Sequence, residues 1–231
     1  MKTKSIIIII LAFLFSAMLQ AQQNDEEMKL LFHKKDKSAN EKIANGGYGA
    51  ISFGWTQLEG KSAVLIGARA AWIANHHFAL GFAGSGFFND FYNGNAYNPE
   101  DYFLAGGYGG ILIEPIIFPM SPVHISFPVI LGAGGVTAAP SSGWDNYNDP
   151  YYYDNYYYDS DAFFMVQPGI EAEFNIVKFF RIAVGASYRF TDGINLRYKY
   201  FDSNNVEQTT VVDKNALNSF NANLTLKFGW F

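Results

Sequence analysis

The sequence predicts an all-β chain, an eight-stranded antiparallel up-and-down transmembrane β-barrel. Three observations predict it. Apolar residues recur at every second position through eight successive stretches, the side chains between them carry every charge of those stretches, and tight connections largely alternate with long ones. Composition agrees: 16% of the 231 residues are charged, where a soluble domain carries roughly 25%. A surface made from this sequence has too few charges to meet water all round.

The N-terminal stretch reads as an address. Lys2 and Lys4 precede the apolar run from Ile6 to Phe15, and Ala21 supplies a small residue at a cleavage position, so 1–21 is expected to be a signal peptide. Residues 22–45 are polar and mixed in charge, a flexible periplasmic leader to the fold. No stretch reaches 18 uninterrupted apolar residues, which excludes a helical membrane span. The chain has no cysteine, which excludes a disulfide framework and a cysteine-ligated metal. A net charge of -5 argues against nucleic acid, which calls for a basic face.

From Gly46 to Phe231 the period is two. Strands are expected near 46–57, 62–73, 78–88, 102–116, 123–137, 162–175, 179–190 and 216–231, each long enough to cross a bilayer at a tilt. The connections at 74–77, 117–122 and 176–178 are short, whereas 89–101, 138–161 and 191–215 are long; the first hairpin, at 58–61, is the one tight turn on the long-loop side. Along one face run Ile51, Phe53, Trp55, Ile66, Trp72, Leu80, Phe82, Ile111, Leu131, Phe164, Ile170, Val184, Leu224, Phe228 and Trp230, without a charge. The other face is dominated by Gly, Ala and Ser and holds all the strand charges. Small residues there suit a cramped interior better than a watered surface. Aromatics gather at both strand ends, as interface girdles do. The competing arrangement, a soluble exported β-sheet protein, would turn the apolar face inward.

Eight strands leave a bore that side chains fill. The inward charges Arg69, Glu114, His124, Glu171, Glu173, Arg181, Arg189 and Lys227 are therefore expected to pair as an ionic network along the lumen. Two pairs across tight turns follow from strand order, Glu173 with Arg181 and Glu114 with His124. Pro128 and Pro168 fall inside strands that offer no free edge, so a bulge is expected at each.

Catalytic constellations are thin. His124-Ile-Ser126 has a His-x-Ser spacing, but period two points both side chains into the lumen, away from surface lipid. His76 and His77 are adjacent in a turn and diverge. No metal, cofactor or enzymatic activity is expected. The functional signal lies in the loops. Trp144, Asp145, Tyr147, Asp149, Tyr151, Tyr152, Tyr153, Asp154, Tyr156, Tyr157, Tyr158 and Asp159 form a run of large rings and adaptable acceptors, suited to glycans or surface proteins. In the last loop Ile194, Leu196, Tyr198 and Tyr200 alternate again, as do Thr210 and Val212, which suggests a hairpin continuing strands seven and eight above the membrane.

The signal peptide, the eight alternating strands, the short turns and the C-terminal Leu226-Lys-Phe-Gly-Trp-Phe231 resemble the small outer-membrane barrels of the OmpX and OmpA-transmembrane type, in the versions found in Bacteroidetes-like bacteria. The likeness covers 46–231 as pattern. It implies a Gram-negative outer membrane, contact with its lipids, and recognition of Phe228, Trp230 and Phe231 by the barrel-insertion machinery. Gly229 departs from the aromatic alternation of that signal. The spacing of His124 and Ser126 resembles that of outer-membrane lipid A deacylases, a lipid-modifying alternative, although there the pair faces the lipid.

Overall fold

The computed structural model describes residues 45–89, 102–140, 159–201 and 206–231. The expected signal peptide, the expected leader as far as residue 44 and all the candidate loop residues from Trp144 to Tyr158 lie outside these, while Asn45, expected in the leader, opens the first strand. Every regular element among the described residues is a strand: β1 (Asn45–Leu58), β2 (Lys61–Ala74), β3 (Phe78–Phe88), β4 (Tyr102–Ile117), β5 (Val123–Ser126), β6 (Val129–Pro140), β7 (Asp159–Val177), β8 (Phe180–Thr191), β9 (Arg197–Phe201), β10 (Glu207–Val211) and β11 (Ser219–Trp230). Successive strands from β1 to β8 pair antiparallel, β5 and β6 acting as one broken strand, and β8 pairs with β11. Pairing of β1 with β11, Phe53 opposite Leu224, closes a ring of eight. Closure removes the sheet edge, so the ladder groups find partners without water.

Turn chemistry sets the reversals. Glu59 and Gly60 have φ of 52° and 77°, and Asn75 and His76 have 48° and 61°. Two successive positive values make a primed turn, whose twist matches that of the strands it joins. Period two then divides the side chains. Ile51, Phe53, Ile66, Leu80, Phe82, Ile111, Phe164 and Leu224 are exposed on the outer wall, Phe82 by 72%, while the charges point inward. Among the described residues, no outward position between the ends of the barrel strands carries a charge. Trp55, Phe88, Phe190 and Phe220 ring the long-loop end, and Trp72, Phe118, Phe179 and Trp230 the short-turn end. Such a wall belongs in hydrocarbon between two interfaces.

The prolines are accommodated differently from the expected bulges. The register on both sides of Phe127-Pro128 is unchanged: Ile116 faces Ser126 and Ile113 faces Val129 on one neighbour, and Ser126 faces Glu171 and Val129 faces Pro168 on the other. No residue is inserted. The strand instead drops out of the ladder for two residues, the Phe127 N–H donates to the Pro115 carbonyl (2.9 Å) and the Gly169 N–H to the Pro128 carbonyl (2.8 Å). The register likewise runs unshifted past Pro168; its one irregularity lies at Asn175/Val177, beside the β7–β8 turn. Placing the two prolines next to each other confines the missing donors to one spot.

The last loop folds over the mouth of the barrel. β9 and β10 form their own two-stranded sheet, outside the ladder of the barrel strands. Ile194, Leu196, Tyr198, Tyr200 and Leu217 are buried in one cluster with the inward-facing Leu58, Leu65, Phe87, Leu104, Tyr108, Phe163 and Met165. Alternation in this loop thus reflects a hairpin with one face on the core, separate from β8 and β11. Aspartates hold it down. Asp159 accepts the Arg197 N–H and Asp161 the Asn195 N–H, both at 2.7 Å, and Asp192 accepts the Phe164 N–H at 2.9 Å. Asp159 is therefore a strand-start clamp, its carboxylate spent on backbone.

Candidate functional site: the ionic lumen and the rim

Strand order places the lumen charges in two facing arcs. Arg69 on β2, Lys227 on β11 and Arg181 on β8 form one arc, and Ala50 on β1 stands opposite both Arg69 and Lys227, its small side chain leaving room between them. Glu114 on β4 and Glu171 and Glu173 on β7 form the other. Lys227 and Arg181 are direct cross-strand partners, a repulsive pairing on its own. Glu173 relieves it, 2.7 Å from Lys227 Nζ and 3.7 Å from Arg181 Nη1.

Lys227 is the hub. Its ammonium lies 2.5 Å from Glu114 Oε1, 2.7 Å from Glu173 Oε1 and 3.5 Å from Glu171 Oε2. Arg69 donates to Glu171 Oε1 at 2.7 Å, the Asn223 amide reaches the same oxygen at 2.9 Å, and the Tyr48 hydroxyl donates to Glu114 Oε2. His124 Nε2 lies 3.2 Å from Glu173 Oε2 and 3.3 Å from Arg181 Nη1. Three carboxylates meet three cations, all essentially removed from water. The carboxylate oxygens gather within 4.8 Å, a set that suits a divalent cation, and Lys227 takes the place such a cation would fill.

Two expectations are corrected here. Glu114 pairs with Lys227 and Tyr48 rather than with His124, because the register sets Glu114 beyond the end of the β4–β5 pairing at Ile116, while His124 faces Glu173 on the next strand. Arg189 stands apart from the network. Its Nε donates to the Leu217 carbonyl at 2.8 Å, its guanidinium carbon lies 5.0 Å and 5.4 Å from the Phe87 and Tyr108 ring centres, and neither Nη has a hydrogen-bond partner. Ser126 Oγ is buried and likewise unpaired, so the His-x-Ser residues share the lumen without forming a bonded pair.

Both ends of the bore are covered. At the long-loop end lies the hairpin described above. At the other, the Phe231 ring turns inward, stacks on Tyr48 at 6.1 Å and lies 3.9 Å from the Arg181 guanidinium carbon. Phe228 and Trp230 point outward, Trp230 exposed by 73%. Of the three C-terminal aromatics two therefore face outward and one closes the lumen. Parity with Lys227 was the signal for this.

A rim groove escaped the sequence reading. It has a volume of about 460 Å³ and lies where the outer wall meets the last loop, lined by Trp55, Tyr188 and Phe220 below and Gln57, Asp213 and Asn215 above. Nothing in strand periodicity brings the first turn to the last loop; the Glu59 N–H to Ala216 carbonyl bond (3.0 Å) does.

No protein-family model and no curated relative matches the sequence. Solved structures do resemble the fold. A major outer membrane protein from Thermus thermophilus aligns over 80% of this chain and 99% of its own at a TM-score of 0.50 and 6% identity. Neisserial surface protein A aligns over 80% and 96% (TM-score 0.48, 8% identity), and Ail, the attachment invasion locus protein of Yersinia pestis, over 81% and 99% (0.47, 10%). Identity this low carries the fold alone, and the chain has the fold of a small eight-stranded outer-membrane β-barrel.

Proposed function

We propose that the chain is an outer-membrane protein of a Gram-negative envelope, with a filled, non-conducting lumen and a surface role, binding or structural, exercised through its long loops. The observation that carries this reading is the pairing of an uncharged apolar wall with an ionic, covered bore. A soluble protein would reverse the two. The neutral charge count of the Lys227 cluster and the Phe231 cover argue for a plug over an ion path. Residues 144–158, rich in Tyr and Asp, are the segment that would meet glycans or surface proteins. The chain serves without catalysis: His124 and Ser126 lie inside the wall, where a lipid substrate has no access.

Fractionation and planar-bilayer recording test the reading together. Protein extracted only with detergent, and no sustained single-channel conductance after reconstitution, is the expected result; recovery in a detergent-free periplasmic extract, or stable channels, overturns it. For the loops, deletion of 144–158 is the informative variant, since it spares the Asp159 and Asp161 clamps. Its binding on glycan and host-protein arrays is expected to fall to background while the barrel still inserts; unchanged binding removes the loop from the proposal.

A further inference from the structure

We propose that the rim groove is a binding site for the saccharide headgroup of a membrane glycolipid, an inference that rests on the outer-membrane reading above. Its position is the first argument. Trp55, Tyr188 and Phe220 are outward residues at the long-loop end of β1, β8 and β11, so the groove opens where the apolar wall ends and the polar loops begin. A molecule that fills it has one end in hydrocarbon and the other in water.

The lining chooses the chemistry. Phe220 and Trp55 are well exposed, and Tyr188 meets Phe220 edge-on at 4.7 Å, which fixes the rings as an angled apolar floor. Above it are the Gln57 amide, the Asp213 carboxylate and the Asn215 amide, all on exposed residues. Sugar rings present flat C–H faces to aromatics and hydroxyl edges to amides and carboxylates, and this groove offers both at once. A phosphate is disfavoured, because the groove also borders Glu59 and no lysine or arginine lines it. The polar wall is built rather than incidental. Glu59 Oε2 accepts the Tyr102 hydroxyl (2.6 Å) and its Oε1 the Asp213 N–H (3.1 Å), while Asp213 Oδ1 accepts the Asn215 N–H (2.8 Å). These bonds set the loop before a ligand arrives, which lowers the ordering cost of binding.

The test uses the full mature barrel in nanodiscs of phosphatidylethanolamine and phosphatidylglycerol doped with a neutral glycosyl diacylglycerol, whose headgroup carries no phosphate to meet the acidic lining. Lipid retained after mild detergent extraction is counted by native mass spectrometry. The wild type is expected to hold the glycolipid above its bulk ratio, and Trp55→Leu and Asp213→Asn each to lower that enrichment about five-fold, the scale of one stacking or polar contact. Phe82→Leu, on the outer wall of β3 and away from the groove, is expected to leave it unchanged. Enrichment equal to bulk, or unaffected by both groove variants in barrels that insert and run heat-modifiably, overturns the site alone. Failure of the wild type to insert sinks both this site and the membrane reading. A third arm offers soluble maltopentaose to barrels in glycolipid-free discs; saturable quenching of tryptophan emission that Trp55→Leu abolishes would overturn the lipid source in favour of a free glycan.

Discussion

The two halves of the lumen fill the same narrow bore with opposite chemistry. Toward the short turns, Glu114, Glu171, Glu173, Arg69, Arg181 and Lys227 neutralise one another, and each ionic side chain depends on several others. Toward the long loops, Leu58, Leu65, Phe87, Leu104, Tyr108, Phe163 and Met165 pack with the underside of the last loop, and each contributes through its own contacts. Damage therefore propagates differently. A lost methylene in the upper half leaves a local void, whereas a lost charge in the lower half leaves a buried excess that only uptake or release of a proton relieves.

The largest effect is expected at the hub. Lys227→Met keeps the length of the side chain but leaves three carboxylates facing two cations, and is expected to cost about 3–5 kcal/mol of stability. Urea titration of the barrel in lipid vesicles, followed by the heat-modifiable gel shift, measures it. Adding Glu173→Gln restores the count and should return at least about 1 kcal/mol, a coupling that separates charge imbalance from simple loss of packing. Additive losses would mean that the lower half behaves like the upper one.

What the sequence disclosed follows the same division. Side chains alternate about a strand with a period of two, so the face of every strand residue was legible from a single anchored position, down to the inward charges and the outward Phe82 and Trp230. Pairing within the bore was less so. Lys227 and Glu114 are 113 residues apart and meet because of the stagger around the ring, which alternation leaves open; short-turn proximity pointed to His124 instead. Phe231 was legible in principle, since it shares parity with Lys227. The fate of Ile194, Leu196 and Tyr198 was not, because a hairpin rising from the barrel and one folded onto its mouth have the same alternating pattern.

A smaller effect is expected in the upper half. Leu104→Ala removes a fully buried side chain of the cluster that includes the loop and should cost about 2–4 kcal/mol, with the spread set by how far the rest of that cluster closes on the void. Here a distant second variant such as Lys227→Met should add to it within about 0.5 kcal/mol, since the two share no partner. Urea titration of the single and double variants decides this, and a strong coupling would join the halves into one unit.

Arg189 is where the halves trade character, and it should show the smallest change. It is a charged side chain in the apolar half, with one hydrogen bond to Leu217, two aromatic faces nearby and two Nη groups without partners. Replacing it by leucine gives up the bond and the ring contacts, about 1–2 kcal/mol together, and removes the cost of two buried unpaired donors, about as large. The terms nearly cancel, so Arg189→Leu is expected to lie within about 1 kcal/mol of the parent in the same urea titration. A loss as large as that of Lys227→Met would mean that the guanidinium holds the last loop in place, and protease cleavage at Arg197 or Lys199 would then rise in parallel. An unchanged midpoint with unchanged cleavage leaves the charge dispensable, and marks the upper half as one held by packing and by the aspartate bonds to the loop backbone, without help from a buried charge.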